Sequence, residues 1–198
     1  MRSPVFAAVL LLSQTAWAAD QTYPDVSDSS RTEADGTRLL QDSVTVNAPG
    51  EKAWAAFVDP QTIMAWSAPM AMVDLRQDGF IEEGFTKEAR PGSPANVRHH
   101  IIAWLPGRLL VLRNQTAPRG LPGGARFKDL VQIVEIETLD PQHTRVRLSQ
   151  TGYGNDTEFD KLYRFFATHN PELLEDLKRA LEKQKSAEVA PGAPLRAQ

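Results

Sequence analysis

Residues 97–116 constrain the fold more tightly than any other stretch of this chain. Two runs, VRHHIIAWL (97–105) and RLLVLRNQT (108–116), are rich in β-branched and large apolar side chains and flank Pro106-Gly107. Such runs on either side of a turn dipeptide read as a β-hairpin. A two-residue turn pairs Ala103 with Leu110, Ile101 with Leu112 and His99 with Asn114. Side chains alternate along a strand, so these pairs share one face, taken as the inner one. Trp104–Leu109, Ile102–Val111 and His100–Arg113 fall on the other.

A second hairpin follows over 130–139 and 145–153. A three-residue loop, Pro141-Gln142-His143, sets Ile136 opposite Leu148, Thr138 opposite Val146, and Glu137 opposite Arg147 as a cross-strand charge pair. This register puts Leu130, Gln132, Val134, Ile136, Val146, Leu148 and Gln150 inward. Between the hairpins lies a long glycine- and proline-rich loop (115–128) that carries Phe127; loops of that length often form functional rims or lids.

The remaining elements frame these hairpins. LLQDSVTV (39–46) reads as a first strand. Asn47 or Ala48 then caps a helix with Pro49 in its first turn and Trp54 and Phe57 on one face. Asp59-Pro60 ends it, and a short second helix runs to Trp66. Two strands, 72–75 and 79–88, hinge at Asp78-Gly79, the second including Phe85. From Thr157 to about Lys185, Phe159, Leu162, Tyr163, Phe166, Leu173, Leu177 and Leu181 recur at helical spacing. Asn170-Pro171 predicts a kink there, or two helices with Asn170 capping the second. The fold class is α+β, in the order β-α-α-β6-α: a curved antiparallel sheet wrapped around a long C-terminal helix, an arrangement that leaves an internal cavity.

The strings SVTVNAPGEKAWAAFVDPQTIMAW (43–66), NVRHHIIAWLPGRLLVLRN (96–114), TRVRLSQTGYG (144–154) and FDKLYRFFATHNPELLEDLKRALE (159–182), in that order, resemble the SRPBCC superfamily. That superfamily includes START-related lipid-transfer domains, the birch-pollen allergen, polyketide cyclases and the activator of a heat-shock chaperone ATPase; the nearest likeness is to the bacterial activator-like branch. The resemblance covers about residues 39–185. It implies the helix-grip fold and a mostly apolar cavity between sheet and last helix, and it carries no universal catalytic motif. The same superfold hosts binders, carriers and enzymes.

The ends of the chain bear on location. Arg2, the apolar run VFAAVLLL (5–12) and Ala16-Trp17-Ala18 form the pattern of a secretory signal peptide, 1–18 or 1–19. Eight apolar residues span about 12 Å as a helix, against about 30 Å of hydrocarbon. The expectation is export, to the periplasm in a Gram-negative cell. Residues 20–36, with five acids and one base, read as a disordered leader, 37–185 as the domain, and 186–198 as a loose tail. No later segment is apolar enough to span a membrane. With 22 Lys and Arg against 25 Asp and Glu, the net charge of −3 gives no sign of nucleic-acid binding. The absence of cysteine excludes disulfides, thiolate metal sites and cysteine nucleophiles.

Catalytic and metal motifs are also missing. His99 and His100 are adjacent on a strand and point apart, so they do not share a metal. No Gly-x-Ser-x-Gly string occurs, and Gly120–Gly124 lacks the Lys-Ser/Thr of a phosphate loop. Glu82, Glu83 and Glu88 are read as a solvated outer face. No cofactor, metal or catalytic residue is assigned. The cavity candidates are Trp66, Phe85, His99, Ile101, Leu112, Asn114, Phe127, Gln132, Val134, Gln150 and Phe166. In this set His99, Asn114, Gln132 and Gln150 either satisfy one another or orient the polar end of an apolar ligand.

Three functions fit these residues. The favoured one is an exported binding or carrier protein for a small apolar or amphipathic molecule. The second is an enzyme of the cyclase or dehydratase sort, which requires at least two titratable groups to converge in the cavity. The third is a protein-interaction module: the Trp104, Leu109, Ile102, Val111 stripe, if exposed, would serve a partner or a homodimer, and if inverted would line the cavity.

Overall fold

The computed structural model describes residues 22–189. The signal-peptide pattern and residues 190–198 lie outside the described residues.

The nucleus of the fold is a nine-stranded antiparallel sheet. Its strands are β1 (Val26–Asp28), β2 (Arg31–Thr32), β3 (Arg38–Val46), β4 (Met70–Asp74), β5 (Phe80–Gly84), β6 (Val97–Leu105), β7 (Leu109–Thr116), β8 (Val131–Asp140) and β9 (His143–Tyr153), in the order β1-β3-β9-β8-β7-β6-β5-β4, with β2 also on β3. Helices α1 (Gly50–Val58) and α2 (Pro60–Trp66) connect β3 to β4, and α3 (Thr157–Val189) closes the chain. The expected order β-α-α-β6-α is therefore present. Asp59 makes the break between the two short helices: its carboxylate accepts from the Thr62 backbone N–H and caps α2, with Pro60 at the first helical position.

Alternation decides which residues meet. Val44, Val46, Ile81, Ile101, Leu110, Leu112, Val134, Ile136, Val146 and Leu148 point to one side of the sheet and pack with Ala53 and Ala56 of α1 and with Leu174, Leu177 and Leu181 of α3. A second cluster gathers Leu40, Leu130, Tyr153, Phe159 and Leu162 at the other end of α3.

The leader 20–36 is not devoid of structure. β1 and β2 pair with β3, Ser29 donates its backbone N–H to Gln41 O, and Val26 packs on the core. The reason is the open edge of β3, whose unpaired backbone groups offer partners to a polar segment with no core of its own. At the other end, α3 runs four residues into the stretch read as a tail. It also passes through Asn170-Pro171 as one helix rather than two. Asn170 does not cap a second helix; its amide turns to the sheet and donates to Gln150 Oε1 at 3.4 Å.

Both hairpins differ in register from the reading above. In β6–β7, Ile101 pairs with Leu112 and His99 with Asn114 as expected, but a bulge between Ile101 and Ala103 moves Trp104 opposite Leu110. The turn takes three residues, 106–108, with Gly107 at φ 71°. One extra residue in one strand reverses the facing of everything beyond it. Trp104 therefore packs against the core, and Leu105, opposite Leu109 and 55% exposed, takes its place beside Ile102, Leu109 and Val111 on the outer stripe. In β8–β9, Asp140 Oδ1 accepts from the backbone N–H groups of Gln142 and His143, which fixes a two-residue turn. A bulge at Leu139 compensates, so Ile136 pairs with Val146 and Val134 with Leu148. The register is two residues away from the expected one, so every side chain keeps its face. The charge pairs become Arg145–Glu137 at 2.8 Å and Arg147–Glu135 at 3.3 Å.

Candidate functional site

Between the inner face of the sheet, the α1–α2 corner and α3 lies a cavity of about 120 Å³. Ile81, Leu110, Leu112, Val134 and Leu148 form its floor; Ala56, Phe57, Ile63 and Trp66 one wall; Phe166 and Leu173 the other. Trp66 is held by its indole N–H, which donates to Ala56 O at 2.9 Å, and by an edge-on contact with the Phe57 ring. Leu173 is 36% exposed, which puts the mouth beside it.

The polar lining comes from five elements: Glu83 of β5 with Ser67 beyond α2, His99 of β6, Gln132 of β8, Gln150 of β9 and Asn170 of α3. Gln132 and Gln150 are direct cross-strand partners. Gln150 Oε1 accepts from Tyr153 Oη at 3.0 Å and from Asn170, so its carbonyl is satisfied by protein.

His99 and Glu83 are the two titratable groups on the cavity wall. His99 Nδ1 stands 2.9 Å from Asn114 Oδ1. With Asn114 Oδ1 facing it, Nδ1 carries the ring proton and Nε2 is left as an acceptor, while Asn114 Nδ2 has no partner of its own. Burial pushes the imidazole down to about 4, with the Asn114 bond opposing, so the ring is neutral at neutral pH. Glu83 Oε1 accepts from Ser67 Oγ at 2.9 Å. Burial raises its carboxyl above the usual glutamate range, and the Ser67 bond offsets part of that rise. No arginine or lysine among the described residues pairs with it.

Of the cavity candidates, Trp66, His99, Leu112, Gln132, Val134, Gln150 and Phe166 line the space. Ile101, Asn114 and Phe127 are buried behind it: Ile101 in the core, Asn114 as the partner of His99, and Phe127 between the His99 ring (6.0 Å) and the Phe166 ring (6.4 Å). Phe85 is elsewhere. β5 stops at Gly84, and Phe85 is 54% exposed on the following loop. The sequence reading missed Glu83, which it placed outside with Glu82. Pairing of Ile81 with His99 and of Glu83 with Val97 puts both Ile81 and Glu83 on the inner face. The signal was available, since Glu83 stands two residues from Ile81 in a strand that alternates.

Glu82 does point outward but is not solvated. It is 3% exposed and accepts from Gly92 N and Asn96 Nδ2, both at 2.6 Å, with Arg98 at 3.5 Å. Its carboxylate anchors the loop 85–96. His100 faces away from His99, toward Asp78 at 3.4 Å. Among the described residues no cluster of three or more His, Asp or Glu side chains is placed to hold a metal ion, and no helix is long and apolar enough to cross a membrane.

A buried acid lies beside the cavity. Asp42 of β3 is 2% exposed, its Oδ2 has no partner, and it lies within interaction range of Asn170. Burial, aided by Asp28 across the β1–β3 ladder, raises it to about 6, against the Asn170 bond.

A curved antiparallel sheet gripping one long helix over an apolar cavity with a few placed polar groups defines the helix-grip class of α+β domains. A family model described as Activator of Hsp90 ATPase homolog 1-like protein matches residues 47–182, and the chain belongs to that family. Solved structures agree on the fold. The Aha1 dimer from Colwellia psychrerythraea is 17% identical with a TM-score of 0.57, over 73% of this chain and 96% of that one. Protein MLL2253 from Mesorhizobium loti is 20% identical with a TM-score of 0.56, over 74% and 98%. The di-domain ARO/CYC protein BexL of the BE-7585A biosynthetic pathway is 14% identical with a TM-score of 0.56, over 73% of this chain and 46% of that one. The search of curated proteins gave no match.

Proposed function

We propose that this chain is an exported binding or carrier protein for a small hydrophobic or amphipathic molecule held between the sheet and α3. The carrying observation is the cavity itself: a mostly apolar space with a mouth beside Leu173 and five polar side chains on its lining besides Ser67. That is how small-molecule sites are built, with apolar area for affinity and a few polar groups for orientation. Export rests on the signal-peptide pattern of residues 1–19. Native mass spectrometry of the protein purified from its own cells tests this reading. A discrete excess over the denatured mass, lost in Phe166→Ala or Gln132→Leu, is the expected result. A clean apo mass under gentle ionisation overturns it.

A second reading, an enzyme of the cyclase or dehydratase sort, is favoured by one observation: two titratable groups, His99 and Glu83, share the cavity wall. A base held near pH 4 is a weak proton acceptor at neutral pH, however, because proton-transfer efficiency follows basicity. The interaction-module reading loses Trp104, which packs against the core, and keeps the smaller exposed stripe of Ile102 and Leu105. The dimer named for the Colwellia relative keeps self-association open to direct measurement.

A further inference from the structure

The polar groups on the cavity wall specify more than a generic apolar guest. Gln150 Oε1 is taken by Tyr153 and Asn170, while Gln132, opposite Gln150, makes no side-chain hydrogen bond among the described residues. His99 and Glu83 keep one open position each. His99 Nδ1 is committed to Asn114, and Nε2 makes no hydrogen bond among the described residues. Glu83 Oε1 is engaged by Ser67, and Oε2 makes none. The two residues are diagonal neighbours on adjacent strands of one face, because Ile81 pairs with His99 and Glu83 with Val97. Diagonal neighbours of this kind stand about 7 Å apart, close enough for one small polar group to reach both side chains.

Charge narrows the guest further. Neither residue has an ionic partner on the described chain, and a charge taken into such a site without one is strongly disfavoured. Burial raises the Glu83 carboxyl, which favours its O–H form as a donor, and the neutral ring of His99 offers a lone pair. Size narrows it again. At about 120 Å³ the cavity falls slightly below the roughly 150 Å³ of an apolar cavity known to hold one benzene ring. A fused ring system would have to leave through the mouth beside Leu173.

We propose, building on the carrier reading above, that the cavity takes an uncharged compound of one ring bearing a hydroxyl group, which accepts a hydrogen bond from Glu83 and donates one to His99 Nε2. Glu83 supplies the donor, His99 the acceptor, and the Phe57, Trp66 and Phe166 rings enclose the apolar body.

The test is a titration of the purified protein with phenol, toluene, benzoate and benzylamine at pH 7, read by calorimetry and by tryptophan fluorescence. Phenol is expected to bind at least tenfold tighter than toluene, benzoate and benzylamine. Glu83→Gln, which keeps a donor and cannot ionise, is expected to retain phenol binding within about threefold. Glu83→Leu is expected to lose it tenfold or more, with the unfolding midpoint of each variant measured alongside. Toluene binding as tightly as phenol overturns the hydroxyl assignment. Benzylamine binding tightest, with loss in Glu83→Gln, shows an ionised Glu83 and overturns the uncharged class. If none of the four binds while an excess mass persists in native spectra, the ligand class is wrong and the carrier reading stands. If neither is seen, both fall.

Discussion

Two buried titratable groups oppose each other in the acid stability of this protein. Asp42 is raised from an ordinary value of 3.8 to about 6. A raised acid binds its proton more tightly in the folded state, so its stabilisation is fully present below pH 3.8 and is lost as pH rises through 6. At about 1.4 kcal/mol per pH unit this amounts to about 3 kcal/mol. His99 is lowered from 6.5 to about 4. A lowered base binds its proton more tightly unfolded, so its contribution is present above pH 6.5 and is lost as pH falls through 4, again about 3 kcal/mol. Between pH 4 and 6.5 the two nearly cancel, with Glu83 acting in the direction of Asp42. Asp42→Asn removes one side of the balance. Urea unfolding followed by tryptophan fluorescence at steps from pH 4 to 7.5 reads the effect. The variant should lose about 3 kcal/mol more than wild type on going from pH 7 to pH 4, whatever its absolute stability at pH 7. A pH profile parallel to wild type would refute the account of Asp42.

Three further outcomes are expected. Glu82→Ala leaves Gly92 N and Asn96 Nδ2 without their acceptor, and should cost about 2–4 kcal/mol and speed hydrogen exchange across residues 85–96. Leu110→Ala, at the fully buried centre of the sheet, should cost about 2–5 kcal/mol by chemical denaturation. Trp104→Ala should cost about 2 kcal/mol, less than a fully buried tryptophan, and leave the sedimentation-derived mass unchanged; a shift from dimer to monomer without loss of stability would restore Trp104 to an interface.

The sequence carried the fold far and the cavity in part, for separable reasons. The β8–β9 faces were legible although the register was displaced, because a displacement of two residues keeps every side chain on its side. Trp104 was misplaced because a bulge shifts the strand by one, and nothing local in HHIIAWL marks where it falls. The ordered leader was hidden because β1 and β2 are stabilised by the edge of β3 and not by their own composition. Glu83 and Asp42 were hidden differently. Both stand in the apolar phase of an alternating strand, Glu83 beside Ile81 and Asp42 between Leu40 and Val44, and residue type was weighed above phase. The bonds from Ser67 and Asn170 that make those positions tolerable come from helical segments distant in sequence, which no strand pattern reveals.

Methyl-resolved NMR of the protein titrated with phenol tests most directly the claim that the cavity between sheet and α3 takes a one-ring hydroxyl compound. Saturable shifts confined to the cavity-lining methyls, Ile81, Leu110, Leu112, Val134 and Leu148 of the floor with Ile63 and Leu173 of the walls, with Ile102, Ile133 and Leu139 on the outer face and at the hairpin end unmoved, are the predicted result. Shifts at the outer set, or none at the cavity floor at saturating phenol, would contradict it.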